Sequence, residues 1–108
     1  MGVHNLLSST EFKETLVNSG HKAILVDCFS RDSQASKALA PEVVKLSNDS
    51  KYEGILFAKL DVDQVPSLAD ELGVKDLPCL ILYKNSEVLG RYSDPTPDAL
   101  AAFVDKAL

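Results

Sequence analysis

Ser33-Gln34-Ala35-Ser36 is where residue type and spacing come nearest to chemistry. A hydrophobic run ends just before it, a helical pattern follows, and its two serines are spaced as the sulfurs of a redox Cys-x-x-Cys pair. A serine hydroxyl cannot form a disulfide, and a helix N-terminus that depresses a thiol pKa cannot supply an alkoxide at neutral pH. The frame of a dithiol site is present without its sulfur. Serine hydrolase chemistry would need a base beside Ser33 or Ser36, but both histidines, His4 and His21, fall at the starts of predicted strands, away from the strand end that presents the serines. The bland reading of the histidines is strand-edge surface, and of the serines helix capping or solvation. Arg31 beside the hydroxyls gives a weaker alternative, an anion held on the backbone N–H groups of the helix start.

Thiol chemistry elsewhere rests on Cys28 and Cys79, the only cysteines. Their separation is neither a secreted disulfide framework nor a zinc pattern, and no His-x-x-x-His accompanies them, so no metal is expected. Free thiols in a reducing compartment are the expectation, with Cys79 as the possible reactive thiol. The 108 residues, 45% hydrophobic and 25% charged, suit one domain over residues 1–108 with a single core. A net charge of −5 without a Lys/Arg cluster disfavours nucleic acid and anionic membranes. No basic leader opens the chain and no apolar run approaches the roughly 18 residues of a membrane span, which points to a cytoplasmic protein.

The elements that must position these residues alternate regularly. After a short strand around Val3 to Leu6, Ser8 and Glu11 form a capping-box pattern, and Phe12, Leu16 and Val17 make an apolar stripe that stops at Gly20. Ala23-Ile24-Leu25-Val26 reads as a central strand covered on both faces and runs into Asp27-Cys28-Phe29. A helix from about Ser33 to Ser47 presents Leu39, Val43 and Leu46, and Pro41 is expected to bend it. Ile55 to Asp61 reads as a strand, and Pro66 to Leu72 as a short helix closed by Gly73. Pro78 to Tyr83 and Val88 to Tyr92 form a hairpin about Lys84-Asn85-Ser86-Glu87, and a last helix begins near Pro97 with Leu100, Phe103 and Val104 inward. The order βαβαβαββα predicts an α/β domain with one mixed central sheet and helices on both faces.

Five ordered blocks carry a resemblance: Val26-Asp27-Cys28-Phe29; Ser33-x-x-Ser36-Lys37-Ala38-Leu39-Ala40-Pro41; Ala58-Lys59-Leu60-Asp61-Val62-Asp63; Leu77-Pro78; and Tyr83-Lys84-Asn85. Over nearly the whole chain they resemble the thioredoxin family, most of all its small cytosolic, fungal-like members. The resemblance implies the thioredoxin fold. It makes Asp27 the buried carboxylate that assists proton removal from the second cysteine, Lys59 the lysine near it, Pro78 the cis-proline facing the dithiol, and Pro41 the kink of the active-site helix. Ser33 and Ser36 then stand at the dithiol positions, with Gln34-Ala35 in place of Gly-Pro, and the family's sheet order sets the strand of Cys28 beside that of Cys79, where a cross-strand disulfide is the alternative to the expected free thiols. Further departures are Asp32 for a tryptophan, Ser86 for the hairpin glycine, and Asp94 or its neighbour for a glycine of the substrate groove.

Two explanations compete for the serines: natural divergence, favoured because several sites around the groove depart together, or paired Cys-to-Ser replacement in a disulfide reductase. The first implies a redox-inactive protein-binding module, or a noncatalytic subunit, with no cofactor and a protein partner. Its surface would comprise Asp32, Gln34, Ala35, Leu77, Pro78 and Asp94, with added carboxylates acting against acidic or apolar partners. Asp27 is then a buried acid whose carboxyl is pushed up by desolvation and partly restored by Lys59.

Overall fold

A computed structural model describes residues 2–18, 20, 23–93 and 95–108, so His21 and Asp94 lie outside the described residues. The chain runs β1 (His4–Asn5), α1 (Ser9–Asn18), β2 (Ala23–Phe29), α2 (Gln34–Ser47), β3 (Ile55–Asp61), α3 (Pro66–Glu71), β4 (Cys79–Lys84), β5 (Glu87–Ser93) and α4 (Pro97–Asp105), the predicted order. A single 3-10 turn, Ser50–Tyr52, is the one element the periodicities did not indicate. The sheet order is β1-β3-β2-β4-β5, with β2 parallel to β3 and antiparallel to β4.

Continuous apolar composition makes β2 the central strand, because both of its faces meet packed side chains. Ile24, Val26 and Cys28 enter one core with Phe12 of α1 and Leu68 of α3. Ala23 and Leu25 enter the other with Leu39 and Val43 of α2 and Leu100, Phe103 and Val104 of α4. Helices therefore cover both faces, as expected.

The helix ends follow local chemistry. Ser8 Oγ accepts from Glu11 N at 3.0 Å, while the Glu11 carboxylate accepts from Leu7 N at 3.0 Å, so the capping box closes one residue earlier than its usual form. Gly20, at φ +80°, and Gly73, at φ +69°, follow α1 and α3 in the left-handed region that glycine tolerates best. Pro41 sits inside α2 and removes the hydrogen bond that the exposed carbonyl turn at Lys37 would otherwise receive.

Two expectations are corrected. Val17 is 74% exposed rather than part of the buried stripe of α1. With about 100° per residue, Leu16 falls roughly 40° from Phe12 on the helix but Val17 roughly 140°, beyond the apolar face. The first strand is only two residues long, although Leu6 N extends its attachment by donating to the Lys59 carbonyl at 2.9 Å.

The β4–β5 hairpin turns through Asn85 (φ 53°) and Ser86 (φ 68°), a primed two-residue turn that matches the strand twist. Asparagine accepts this conformation readily and serine less so. Ser86 Oγ also donates to the Leu16 carbonyl at 3.0 Å, tying the turn to α1 in an exposed setting. Relief of the backbone cost outweighs loss of that solvated bond. Ser86→Gly is expected to raise stability by roughly 0.5 kcal/mol, read as a higher urea midpoint at unchanged m-value; a lower midpoint would give the tether the larger share.

Candidate functional site

The candidate site is assembled at one end of the sheet, where β2 and β3 finish and β4 begins. Phe29 pairs with Asp61 and Cys28 with Cys79, so the segments after β2 and β3 and before β4 converge there. The ladder continues one residue into the loops, Val62 N donating to the Phe29 carbonyl at 3.0 Å.

Beyond Phe29 the chain must leave the sheet without orphaning buried polar groups, and Ser30 to Ser33 does this with a turn. Ser33 N donates to the Ser30 carbonyl at 3.1 Å. The buried Ser30 hydroxyl donates to Asp63 Oδ2 at 2.7 Å and accepts from Asp32 N at 3.3 Å. Asp61 is buried as well; its Oδ1 accepts from Asp63 N at 3.0 Å, and its Oδ2 faces Arg31 Nε at 3.3 Å. The loops after β2 and β3 are thus braced by Ser30–Asp63 and Arg31–Asp61. These four residues were missed as a unit in the sequence; the Asp-x-Asp spacing signals a turn, but its partners come from another loop. Arg31 Nε is thus paired with Asp61, a contact that competes with the anion alternative at the helix start.

Ser33 is the N-cap of α2, extended at φ −86° and ψ 118°, and its Oγ accepts from Ser36 N at 3.1 Å. This is the arrangement expected of a capping serine. Ser36 departs from the solvated reading: it is buried, and its Oγ accepts from Ser30 N at 3.4 Å. A cavity of about 190 Å³ adjoins it, lined by Phe29, Ser30, Arg31, Ser36, Lys37 and Ala40. His4, on β1, is not a base for either serine; its Nε2 lies 3.6 Å from Oε1 of Glu11 on α1.

Asp32, Gln34 and Ala35 are exposed beside Ser33. Leu77 is half-buried and Pro78 buried, joined by a cis peptide bond that leads into β4. Leu77 also lines a groove of about 230 Å³ with Val62, Pro66, Ala69 and Val74, whose rim carries Asp70 and Lys75. Of the six residues expected at a binding surface, five are described at this end, but Pro78 is buried rather than on the surface, and Asp94 lies outside the described residues.

Asp27 and Lys59 are register partners beneath the turn. Asp27 is only 4% exposed, and no described protein donor reaches its Oδ1. Burial pushes its carboxyl up to about 7 from 3.8, and the positive charge of Lys59 offsets part of that rise. The direction and both causes match the expectation. Among the described residues no group of three His, Cys, Asp or Glu side chains is placed to hold a metal ion, and no helix is long and apolar enough to cross a membrane.

A central mixed sheet with two helices on each face, a polar helix mouth at the end of its middle strand and a cis-proline opposite define the thioredoxin-fold class. The thioredoxin family model matches residues 3–106, and the chain belongs to that family. Thioredoxin-2 of Pyricularia oryzae is 34% identical over 96% of this chain, which spans only 58% of that relative's length. Thioredoxin-1 of Schizosaccharomyces pombe is 34% identical, with 94% of this chain and 95% of the relative covered. Malassezia sympodialis thioredoxin superposes with a TM-score of 0.89 at 24% identity, covering 99% of this chain and 92% of its own.

The cap and the buried acid make separable predictions. Ser33→Ala is expected to cost about 1 kcal/mol in urea denaturation by removing the acceptor for Ser36 N; an unchanged midpoint would show that the cap contributes nothing. For Asp27 the folded carboxyl keeps its proton up to about pH 7. The unfolded chain loses that proton near pH 4, so the folded state binds the extra proton between the two and stability falls as pH rises through this window. The full fall is roughly 4 kcal/mol. Asp27→Asn is expected to flatten that slope and to raise stability above pH 7 by roughly 1–3 kcal/mol; clear destabilisation at pH 8 would indicate a structural role for the charged carboxylate.

Proposed function

We propose that this thioredoxin-family chain is a protein-binding module, or a noncatalytic subunit, of the cytoplasm that is redox-inactive at the Ser33–Ser36 position. The observation that carries this reading is the use made of the two hydroxyls at the α2 mouth: Ser33 caps the helix, and Ser36 accepts a backbone N–H within the buried turn. Among the described residues neither is hydrogen-bonded to a histidine or carboxylate, and neither can exchange electrons with a disulfide. Ser33 and Ser36 are read as vestiges of the dithiol positions, and Asp27 and Lys59 as vestiges of the proton relay.

The exposed Asp32, Gln34 and Ala35, with the Leu77–Pro78 segment and the neighbouring groove, supply the binding surface on this reading. That surface is apolar in the groove and acidic at the helix mouth. It suits an extended protein segment that places apolar side chains against Leu77 and basic ones near Asp32. Neither a cofactor nor a nucleic acid is part of the proposal.

A second reading is favoured by one specific feature, the retention of Asp27, Lys59 and Pro78 around the serines: a thioredoxin protein-disulfide reductase disabled by Cys-to-Ser replacement. Insulin reduction by the chain and by its Ser33→Cys/Ser36→Cys variant separates the two. We expect no turnover from the chain itself and little from the variant, because Asp32 and the other groove departures remain. Turnover by the variant at rates typical of thioredoxins would favour the disabled reductase; turnover by the unaltered chain would overturn both readings.

A further inference from the structure

The chain's two thiols lie together beneath the helix mouth, and the serines take no part in their chemistry. Cys28 is the penultimate residue of β2 and Cys79 the first of β4; the antiparallel register sets them directly opposite each other. Their side chains point to the same face, since both enter the core that contains Val26, Ile81 and Tyr83. Directly opposed residues of an antiparallel pair have Cα atoms about 4.5–5.5 Å apart, within the roughly 4.4–6.8 Å span that a disulfide bridges. Both sulfurs are free thiols.

We propose that Cys28 and Cys79 form a cross-strand dithiol that closes to an intramolecular disulfide on oxidation by peroxide, giving this chain a two-electron redox couple separate from the Ser33–Ser36 position.

The order of events follows from burial. Cys28 is fully buried and Cys79 nearly so, at 0% and 2% exposure, and burial together with the neighbouring Cys79 and Asp27 charges keeps the Cys28 thiol well above its usual range. The intact core therefore protects the pair. Access comes through fraying at the strand ends, where opening costs least and where β4 leaves Pro78. Cys79, at the terminal position, meets the oxidant first. Its sulfur attacks hydrogen peroxide and the O–O bond breaks; one oxygen stays as a sulfenic acid and the other leaves as water with the thiol proton. The Cys28 sulfur then attacks the sulfenic sulfur, the S–S bond forms, the S–O bond breaks, and the hydroxide leaves as water with the Cys28 proton. Two thiols are oxidised and one peroxide becomes two waters. A small dithiol reverses the change by exchange.

The test uses the whole chain. Native protein is incubated with hydrogen peroxide, then quenched, unfolded and alkylated, and tryptic peptides are mapped without reduction. The peptides Ala23–Arg31 and Asp76–Lys84 each carry one cysteine. The expected result is a monomer whose two alkylatable thiols fall to none, with these peptides cross-linked and both thiols restored by dithiothreitol. In Cys28→Ala the expected product is instead a Cys79 sulfenic acid, trapped by dimedone. The proposal is overturned if Cys79 is oxidised to sulfinic acid while Cys28 stays alkylatable, or if cross-links form only between chains. It is overturned equally if native protein keeps both thiols at a peroxide dose that oxidises the urea-unfolded chain.

Discussion

Everything at the candidate site depends on how β2 is held. It is the middle strand of five, paired in parallel on one side and antiparallel on the other, and six of its seven residues are buried. A strand so enclosed must place its backbone N–H and C=O groups in ladders, since unpaired groups buried away from water are costly. It can therefore end only where another source of donors and acceptors begins. Ser30 is that source: its hydroxyl, its carbonyl and its N–H engage Asp63, Ser33 and Ser36 respectively. The helix mouth is the continuation of a strand terminus, and only one side chain of α2, the Ser36 hydroxyl that accepts from Ser30 N, enters its bracing.

Polar groups near this terminus fall into two layers of opposite character. In the outer layer Asp61 and Asp63 are satisfied by backbone N–H groups, a hydroxyl and a guanidinium, so their charges are compensated by geometry. In the inner layer Asp27 has Lys59 for attraction but no described donor for Oδ1, and desolvation dominates its titration. The two layers differ in hydrogen bonding: the outer carboxylates accept from N–H and O–H donors, and Asp27 Oδ1 from no described one. The inner acid is held by the packing around it, and no listing of its own contacts makes it a stabilising group.

The parts of the fold that depend on local composition were legible in the sequence. Ala23 to Phe29 and Ile55 to Asp61 read as strands because their side chains need burial on both faces, and Ser8, Gly73 and Pro97 mark helix ends through backbone requirements that hold anywhere. The Ser33 cap was equally legible, being a three-residue relation. What escaped were relations between distant segments. The Arg31–Asp61 pair joins two loops, and the burial of Ser36 depends on the turn before it folding back over its hydroxyl. The adjacency of the Cys28 and Cys79 strands was legible from the family's sheet order, but their direct opposition needs a register that the order alone does not supply. Val17 failed for a local reason: one position past Leu16 is enough to leave the apolar face.

The same geometry holds the backbone at the α2 mouth without help from the Ser33 hydroxyl. The position of Ser33 is set by the Ser30–Ser33 turn and by the exit of β2, neither of which uses the Ser33 side chain. What the hydroxyl adds is a cap, accepting from Ser36 N, a task for which serine is among the preferred residues. A thiolate in that place would draw on the same N–H group and helix dipole for a different end, a lowered pKa and nucleophilic sulfur. One helix terminus can therefore serve either reactivity or helix stability, with the choice made by a single atom. Here that atom is oxygen, and the side chains around it, Asp32, Gln34 and Ala35, are exposed on a turn and helix start held by the strand terminus.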